Sequence, residues 1–225
     1  MENYMENHQI SKYRYERKYI LKPIDLPCLF FDLNLKGYRE IFDDRKINNL
    51  YFDSFDLSSV MDNVNGLSER KKYRIRWYGD SFSNSLKQLE IKSKAEFLNA
   101  KKTIQLEEFT LKGLNDIEKS SVELIKFLKK DNLSLFNHFQ SKTVKLFNSY
   151  NRRYFLSKNN ETRITIDSSL NFYSPVTKNI FEENNIIVEI KYFRNFNESF
   201  KNLTLNKYSK YVKGVLSTTF FNPIY

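Results

Sequence analysis

The segment KKYRIRWYG (71–79) alternates strictly: Lys72, Arg74 and Arg76 fall on every second position, with Tyr73, Ile75 and Trp77 between them. Side chains two apart on a strand share a face, so this segment reads as a strand with one cationic and one apolar face. The same split recurs in four more segments. Their charged positions are Arg14, Glu16 and Lys18; Glu90, Lys92 and Lys94; Arg163 and Asp167 flanking Thr165; and Glu189 with Lys191. Their apolar positions are Tyr15 and Tyr19; Leu89 and Ile91; Ile164 and Ile166; and Val188 and Ile190. Any one of these strands suits an ordinary antiparallel sheet whose charged face is in water. Five together are more selective, because a merely solvated face accepts Ser, Thr, Gln and Asn freely, whereas here nine cations and four anions hold the charged positions.

The sharper reading closes these strands into a barrel with the charged faces inward. The apolar faces then point outward and need cover, which helices over 27–42, 113–139 and 197–216 could supply. Buried cations without partners are costly, so such a tunnel makes sense only with a polyanion inside. A few carboxylates in the wall would hold a divalent cation that bridges phosphate oxygens.

The bulk numbers agree with an anionic partner. The chain has 225 residues, a formal charge of +10, and 40% hydrophobic and 16% aromatic residues, enough to build a core. Cys28 is the sole cysteine, and His8 and His138 are the two histidines, far apart in sequence. Disulfide and Cys- or His-ligated metal chemistry are therefore not expected, and a metal here would be a hard cation, Mn²⁺ or Mg²⁺, on carboxylates. The N-terminus, MENYMENHQI, lacks the apolar core of a signal peptide, and no run of about 18 apolar residues follows. A cytoplasmic protein without a membrane span is the expectation.

Strand-like segments are expected at 13–21, 47–54, 71–79, 86–94, 101–109, 142–156, 162–174 and 185–193. Helical periodicity marks 27–42, an insertion over 113–139 and the tail from about 197 to 216. No Pro- or Ser-rich linker divides the chain, so the sequence reads as a polar tail (1–12) followed by one α+β domain (13–225).

In that order along the chain, YERKY, NNLYFDS, YRIRWYG, LEIKSK, YNRRYF, TRITID, VEIKY and KYSKYVKG resemble the VTC (vacuolar transporter chaperone) domain. That domain is the catalytic module of polyphosphate polymerases, in the triphosphate tunnel metalloenzyme or CYTH-like superfamily. The resemblance runs from about residue 13 to 216. It implies a closed antiparallel tunnel with helices packed outside and a C-terminal helix. It further implies that Lys18, Arg74, Arg76, Lys92, Lys101, Arg152, Arg163 and Lys210 bind phosphate and that Glu189 binds metal. Lys191 joins the phosphate set, and Glu16 and Glu90 the metal set, on shared inward parity. Arg74, Arg76 and Lys210 would serve catalysis directly. Lys102 competes with Lys101, and Lys210 also fits a plain solvated face with Lys207 and Lys213. Position 14 is Arg where the hydrolase branch of the superfamily has Glu.

The resemblance implies a polymerase that moves the γ-phosphoryl group of ATP onto inorganic polyphosphate. A metal-dependent tripolyphosphatase or nucleoside triphosphatase, and a non-catalytic polyphosphate-binding module, are the alternatives. A nucleic-acid partner is not expected, since carboxylates share the cationic face and would repel a nucleic-acid backbone. Coupling to transport would need a separate membrane protein. A wall overloaded with cations also predicts that removing Arg74 or Arg76 leaves the empty protein as stable as before.

Overall fold

The computed structural model describes residues 15–82, 85–95, 98–107, 109–193 and 198–219; the segment 1–12 and Arg14 lie outside them. Among the described residues ten strands run in chain order: β1 (Tyr15–Leu21), β2 (Arg39–Asp53), β3 (Arg70–Tyr78), β4 (Lys87–Ala95), β5 (Leu98–Leu106), β6 (Thr143–Leu156), β7 (Thr162–Tyr173), β8 (Ile180–Glu183), β9 (Ile186–Tyr192) and β10 (Thr204–Leu205). Between and after them stand α1 (Leu26–Leu35), α2 (Ser58–Val64), α3 (Leu114–Asp131), α4 (Leu133–Phe139) and α5 (Lys210–Thr219). All strands join one antiparallel sheet in the order β10-β1-β9-β7-β6-β2-β3-β4-β5, with β8 paired to β7.

Three boundaries differ most from the sequence expectation, the first being that β2 begins at Arg39 and not at 47. The helix expected over 27–42 stops at Leu35, where Gly37 takes a φ of 74° and Tyr38 N–H donates to Leu33 C=O while Gly37 N–H donates to Asn34 C=O. This pair of bonds around a left-handed glycine ends a helix, and the chain turns directly into β2. The tail helix begins at Lys210 instead of 197, because Thr204 and Leu205 pair with Ile20 and Tyr19 of β1. Helix α2 and strand β8 were not anticipated.

The register shows that the charged positions share one face. Arg74 lies opposite Tyr51 on β2 and Glu90 on β4, Lys92 opposite Lys101, Arg152 opposite Asp167, and Arg163 opposite Lys191. Glu16 pairs with Lys191 and Lys18 with Glu189. The other face is apolar and covered. Helices α3 and α4 place Ile117, Leu124, Leu128, Leu135 and Phe139 on Tyr73, Ile75, Trp77, Leu89 and Ile91. Helix α1 places Leu29 and Leu33 on Ile164, Ile166, Val188 and Ile190.

The sheet is strongly curled about its charged face. Four strands separate β4 from β9 and β3 from β1, so a flat sheet would hold each pair about 24 Å apart, five spacings of about 4.8 Å. Yet Lys92 on β4 is within electrostatic reach of Glu189 and Lys191 on β9, and Lys72 on β3 within reach of Lys18 on β1. Among the described residues no ladder joins β5 to β1 or β10, so the closing seam of the expected barrel is not seen there.

Helix α5 lies on the charged side at one end of this trough. Tyr211 and Val215 pack with Val60 of α2 against Tyr51, Leu146, Phe172 and Ile187, all sheet positions of the concave face. The approach is close: a Cβ at Gly214 would stand 2.5 Å from both Leu146 and Phe172. Alanine favours a helix over glycine by about 1 kcal/mol, whereas overpacking a fixed core costs about 1–3 kcal/mol. Gly214→Ala should therefore lower the thermal midpoint, and an unchanged or higher midpoint would show that α5 is not seated this tightly.

Candidate functional site

The concave face is organised by three carboxylate nodes, each holding two cations. The deepest is Asp167 on β7, fully buried: Arg152 grips it with Nε and a terminal nitrogen at 2.5 and 2.7 Å, and Lys210 Nζ reaches it at 2.5 Å from the first residue of α5. Burial acts to raise the Asp167 pKa, but Arg152 and Lys210 outweigh it and hold the carboxyl below its ordinary value. Lys210 also stands 4.8 Å from the ring centre of Tyr150.

Glu90 forms the second node. Arg74 donates to its Oε2 through Nε at 2.7 Å, and Lys101 reaches its Oε1 at 2.5 Å. Burial again acts upward, but Arg74, Arg76 and Lys101 bring Glu90 down to about 2. Both Glu90 oxygens are thus committed to cations, and the residue stands apart from the other two candidate metal ligands. These contacts fix Arg74 and Lys101 on the wall. Lys102, opposite Ile91, belongs to the apolar face.

Glu16 and Glu189 make the third node. Lys191 lies 2.7 Å from Glu189 and 3.4 Å from Glu16, and Lys18 lies 3.0 Å from Glu16 and 4.0 Å from Glu189. Burial would raise the Glu189 pKa, but Lys191, Lys18 and Arg152 hold it far below the usual carboxylate range. Among the described residues no three Asp, Glu, His or Cys side chains gather into a metal cage. Two neighbouring carboxylates nonetheless suit a hard cation such as Mn²⁺ or Mg²⁺, which binds through one or two carboxylates, phosphate oxygens and water.

The remaining cations lack a carboxylate of their own among these nodes. Arg76 donates from Nε to Asn49 Oδ1 at 2.8 Å and from a terminal nitrogen to the Tyr150 hydroxyl at 3.1 Å, both neutral partners. Lys92 is solvent-accessible inside the trough, and Arg74, burial, Arg76 and Lys191 depress it to about 6. Lys72 donates to Ser209 Oγ at 3.0 Å, and burial with Lys18, Arg74, Arg70 and Lys210 depresses it to about 7. Among the described residues three buried donors on this wall find no protein acceptor: Arg163 Nε, Asn148 Nδ2 and the Thr165 hydroxyl. A wall with surplus donors and crowded cations is complementary to an anion rich in oxygen acceptors.

All the residues expected at the site stand on this one face, with Lys210 added from α5. Asp167, Tyr150, Asn49, Lys72 and Ser209 complete it without having been assigned a role from sequence. Asp167 was visible as an inward position, and its pairing with Arg152 follows once β6 and β7 are put in register.

The nodes separate two neighbouring arginines. Arg74→Ala removes a partner from buried Glu90 and should cost about 3 kcal/mol of unfolding free energy, contrary to the expectation from charge excess alone. Arg76→Ala removes hydrogen bonds to neutral partners and a longer-range attraction to Glu90, and should stay within about 1 kcal/mol of the parent. Urea unfolding of both variants checks this, and equal losses would refute the distinction.

A second prediction follows from Lys72. An unfolded lysine titrates near 10.4, so between about pH 7 and 10 the folded chain binds fewer protons at this site than the unfolded chain. Stability therefore gains a contribution as pH rises through that window. In Lys72→Met the rise in unfolding free energy from pH 7 to 9.5 should be shallower, and an identical slope would contradict the crowding at Lys72.

Comparison with known proteins places the chain. The family model for the VTC domain matches residues 9–219. No curated protein matches. Among solved structures, a Vibrio parahaemolyticus protein named as a candidate adenylate cyclase aligns over 83% of this chain and 79% of its own, at 11% identity and a TM-score of 0.46. A Hippeastrum protein, a candidate adenylyl cyclase described as having a dominant triphosphatase activity, aligns over 80% and 79%, at 13% identity and 0.44. A conserved Pyrococcus furiosus protein aligns over 81% and 80%, at 14% and 0.44. With the family model covering nearly the whole chain, the protein belongs to the VTC domain family.

Proposed function

We propose that this protein is a polyphosphate polymerase that transfers the γ-phosphoryl group of ATP to the end of an inorganic polyphosphate chain and releases ADP. The observation that supports this reading best is the convergence of Lys18, Arg74, Arg76, Lys92, Lys101, Arg152, Arg163, Lys191 and Lys210 on one concave face that carries only a few carboxylates.

The chemistry asks little of a protein nucleophile. A terminal oxygen of the acceptor chain attacks the γ-phosphorus in line; the bond from that phosphorus to the bridging oxygen breaks, and its electron pair leaves with ADP. Arg76 and Arg152 face the space from β3 and β6, with β2 between them, and would hold the non-bridging oxygens, spreading the charge of the transition state. Lys210, fixed by Asp167, would approach from α5, and Lys18 and Lys191 from β1 and β9. A divalent cation on Glu189 and Glu16 would supply further neutralisation of the phosphate oxygens. Glu90 serves by orienting Arg74 and Lys101.

No helix among the described residues is long and apolar enough to cross a membrane. On this reading the protein meets ATP in the cytoplasm, and any export of its product would use a separate membrane protein.

Incubation of the purified chain with ATP and Mn²⁺ should yield phosphate chains longer than the input, seen on gels or by phosphorus NMR. Release of orthophosphate alone would make it a hydrolase, and binding without turnover would make it a polyphosphate-binding module. Glu189→Gln should lower turnover by at least about a hundredfold while retaining tripolyphosphate binding; turnover at the parent rate would remove Glu189 from the metal site.

A further inference from the structure

The register of β2 against β6 changes twice near the open end of the trough. Glu40 lies opposite Phe155, Phe42 opposite Tyr154, and Arg45 opposite Arg152, so β2 uses two residues where β6 uses one, and then three where β6 uses two. Strict alternation would put Phe42 on the opposite face from Arg45. The bulge carrying Asp43 and Asp44 instead brings Phe42 and Arg45 onto the concave face together, the re-aiming that bulges accomplish beside sites.

The result is a small aromatic and cationic box. Phe42 meets Tyr154 edge to face at 5.4 Å, and the Arg45 guanidinium lies 4.3 Å from the Phe42 ring centre and 6.0 Å from that of Tyr154. Phe42 keeps 44% of its surface exposed, and Tyr78, next after Arg76 on the same face of β3, keeps 40%. Tyr78 and Arg76 both lie within electrostatic reach of Tyr154. Arg152, a phosphate candidate, stands 5.8 Å from the Tyr154 ring centre.

We infer that this box binds the nucleobase of the nucleoside triphosphate whose phosphates occupy the trough. The inference rests on the function proposed above and adds the part of the substrate that phosphate contacts leave unread. Tyr154 and Phe42 stand two residues along β6, about 7 Å, from the Arg152 level, a reach suited to a base whose phosphates lie against Arg76 and Arg152. Exposed rings beside a guanidinium plane are the surfaces on which bases stack, and such stacking tolerates different bases. The site should therefore favour nucleoside triphosphates over inorganic tripolyphosphate without strong preference among purines.

The test is titration calorimetry of the full chain with ATP, GTP and inorganic tripolyphosphate. Phe42→Ala and Tyr154→Leu should weaken ATP and GTP about tenfold, with tripolyphosphate held within about twofold. Phe42→Leu, which keeps apolar bulk and loses the ring, should show the same selective loss, and thermal melting confirms that each variant is folded. Equal weakening of all three ligands, or ATP bound by Phe42→Ala as tightly as by the parent, would overturn the base site and leave the phosphate site standing. A parent protein that binds neither ATP nor tripolyphosphate would overturn the proposed function, and this inference with it.

Discussion

The structure depends on a shortage of negative charge on one face. Asp167, Glu90 and the Glu16–Glu189 pair each hold two cations, and they carry the inner wall. Buried ion pairs contribute little net stability, because desolvation offsets most of their attraction, and apolar residues of similar volume often serve as well. What such nodes do supply is position. Arg152 and Lys210 come from a strand and a helix far apart in sequence, and a single buried carboxylate sets both. Each node also leaves its cations in place when an anion arrives, so the wall is organised before it binds.

Helix α5 connects this electrostatics to the packing. Asp53, fully buried at the end of β2, accepts from the backbone N–H groups of Ser59 and Val60 and from the Tyr211 hydroxyl at 2.8 Å. Tyr211 stacks on Tyr51 at 4.7 Å. One carboxylate thus caps α2 and anchors α5, while Gly214 lets the helix sink onto Leu146 and Phe172. The seat of the helix, fixed by apolar contact, decides where Lys210 and Ser209 meet the wall. Burial would raise the Tyr150 pKa, yet Arg76, Arg152 and Lys210 lower it, a sign of how tightly cations are gathered at the foot of this helix.

The period-two alternation of the strands was legible because it is local: Lys72, Arg74 and Arg76 must share a face whatever surrounds them. The helix cover at 113–139 was legible for the same reason. What alternation cannot carry is which residue lies opposite which. Asp167 reads as one more inward charge until β6 is laid beside it, and then it becomes the partner of Arg152. The bulge at Asp43 and Asp44 is invisible to a strict alternation, which assigns Phe42 to the wrong face. The early end of α1 was written in Gly37, but the apolar run through Phe42 concealed it. The tail was read as helix from 197 because Thr204 and Leu205 join the sheet only through a partner, β1, that is distant in sequence.

The surplus cations bear on how a long polyanion could move. A phosphate held by every available cation at full charge would bind tightly and leave slowly, since each charge-assisted contact contributes roughly 1.5–3 kcal/mol. At neutral pH Lys72, depressed to about 7, is about half charged and Lys92, depressed to about 6, carries little charge; a nearby anion favours the charged form of both. On the proposed function their contribution would follow the ligand: a phosphate that arrives would draw a proton onto the lysine, and one that departs would allow it to leave. Arg152, raised by Asp167 against the effect of burial, cannot discharge in this way and keeps a constant grip. On the proposed function, arginines held by Asn49, Tyr150 and Asp167, interleaved with lysines whose charge follows occupancy, would hold a transferring phosphoryl group firmly and still release the chain behind it.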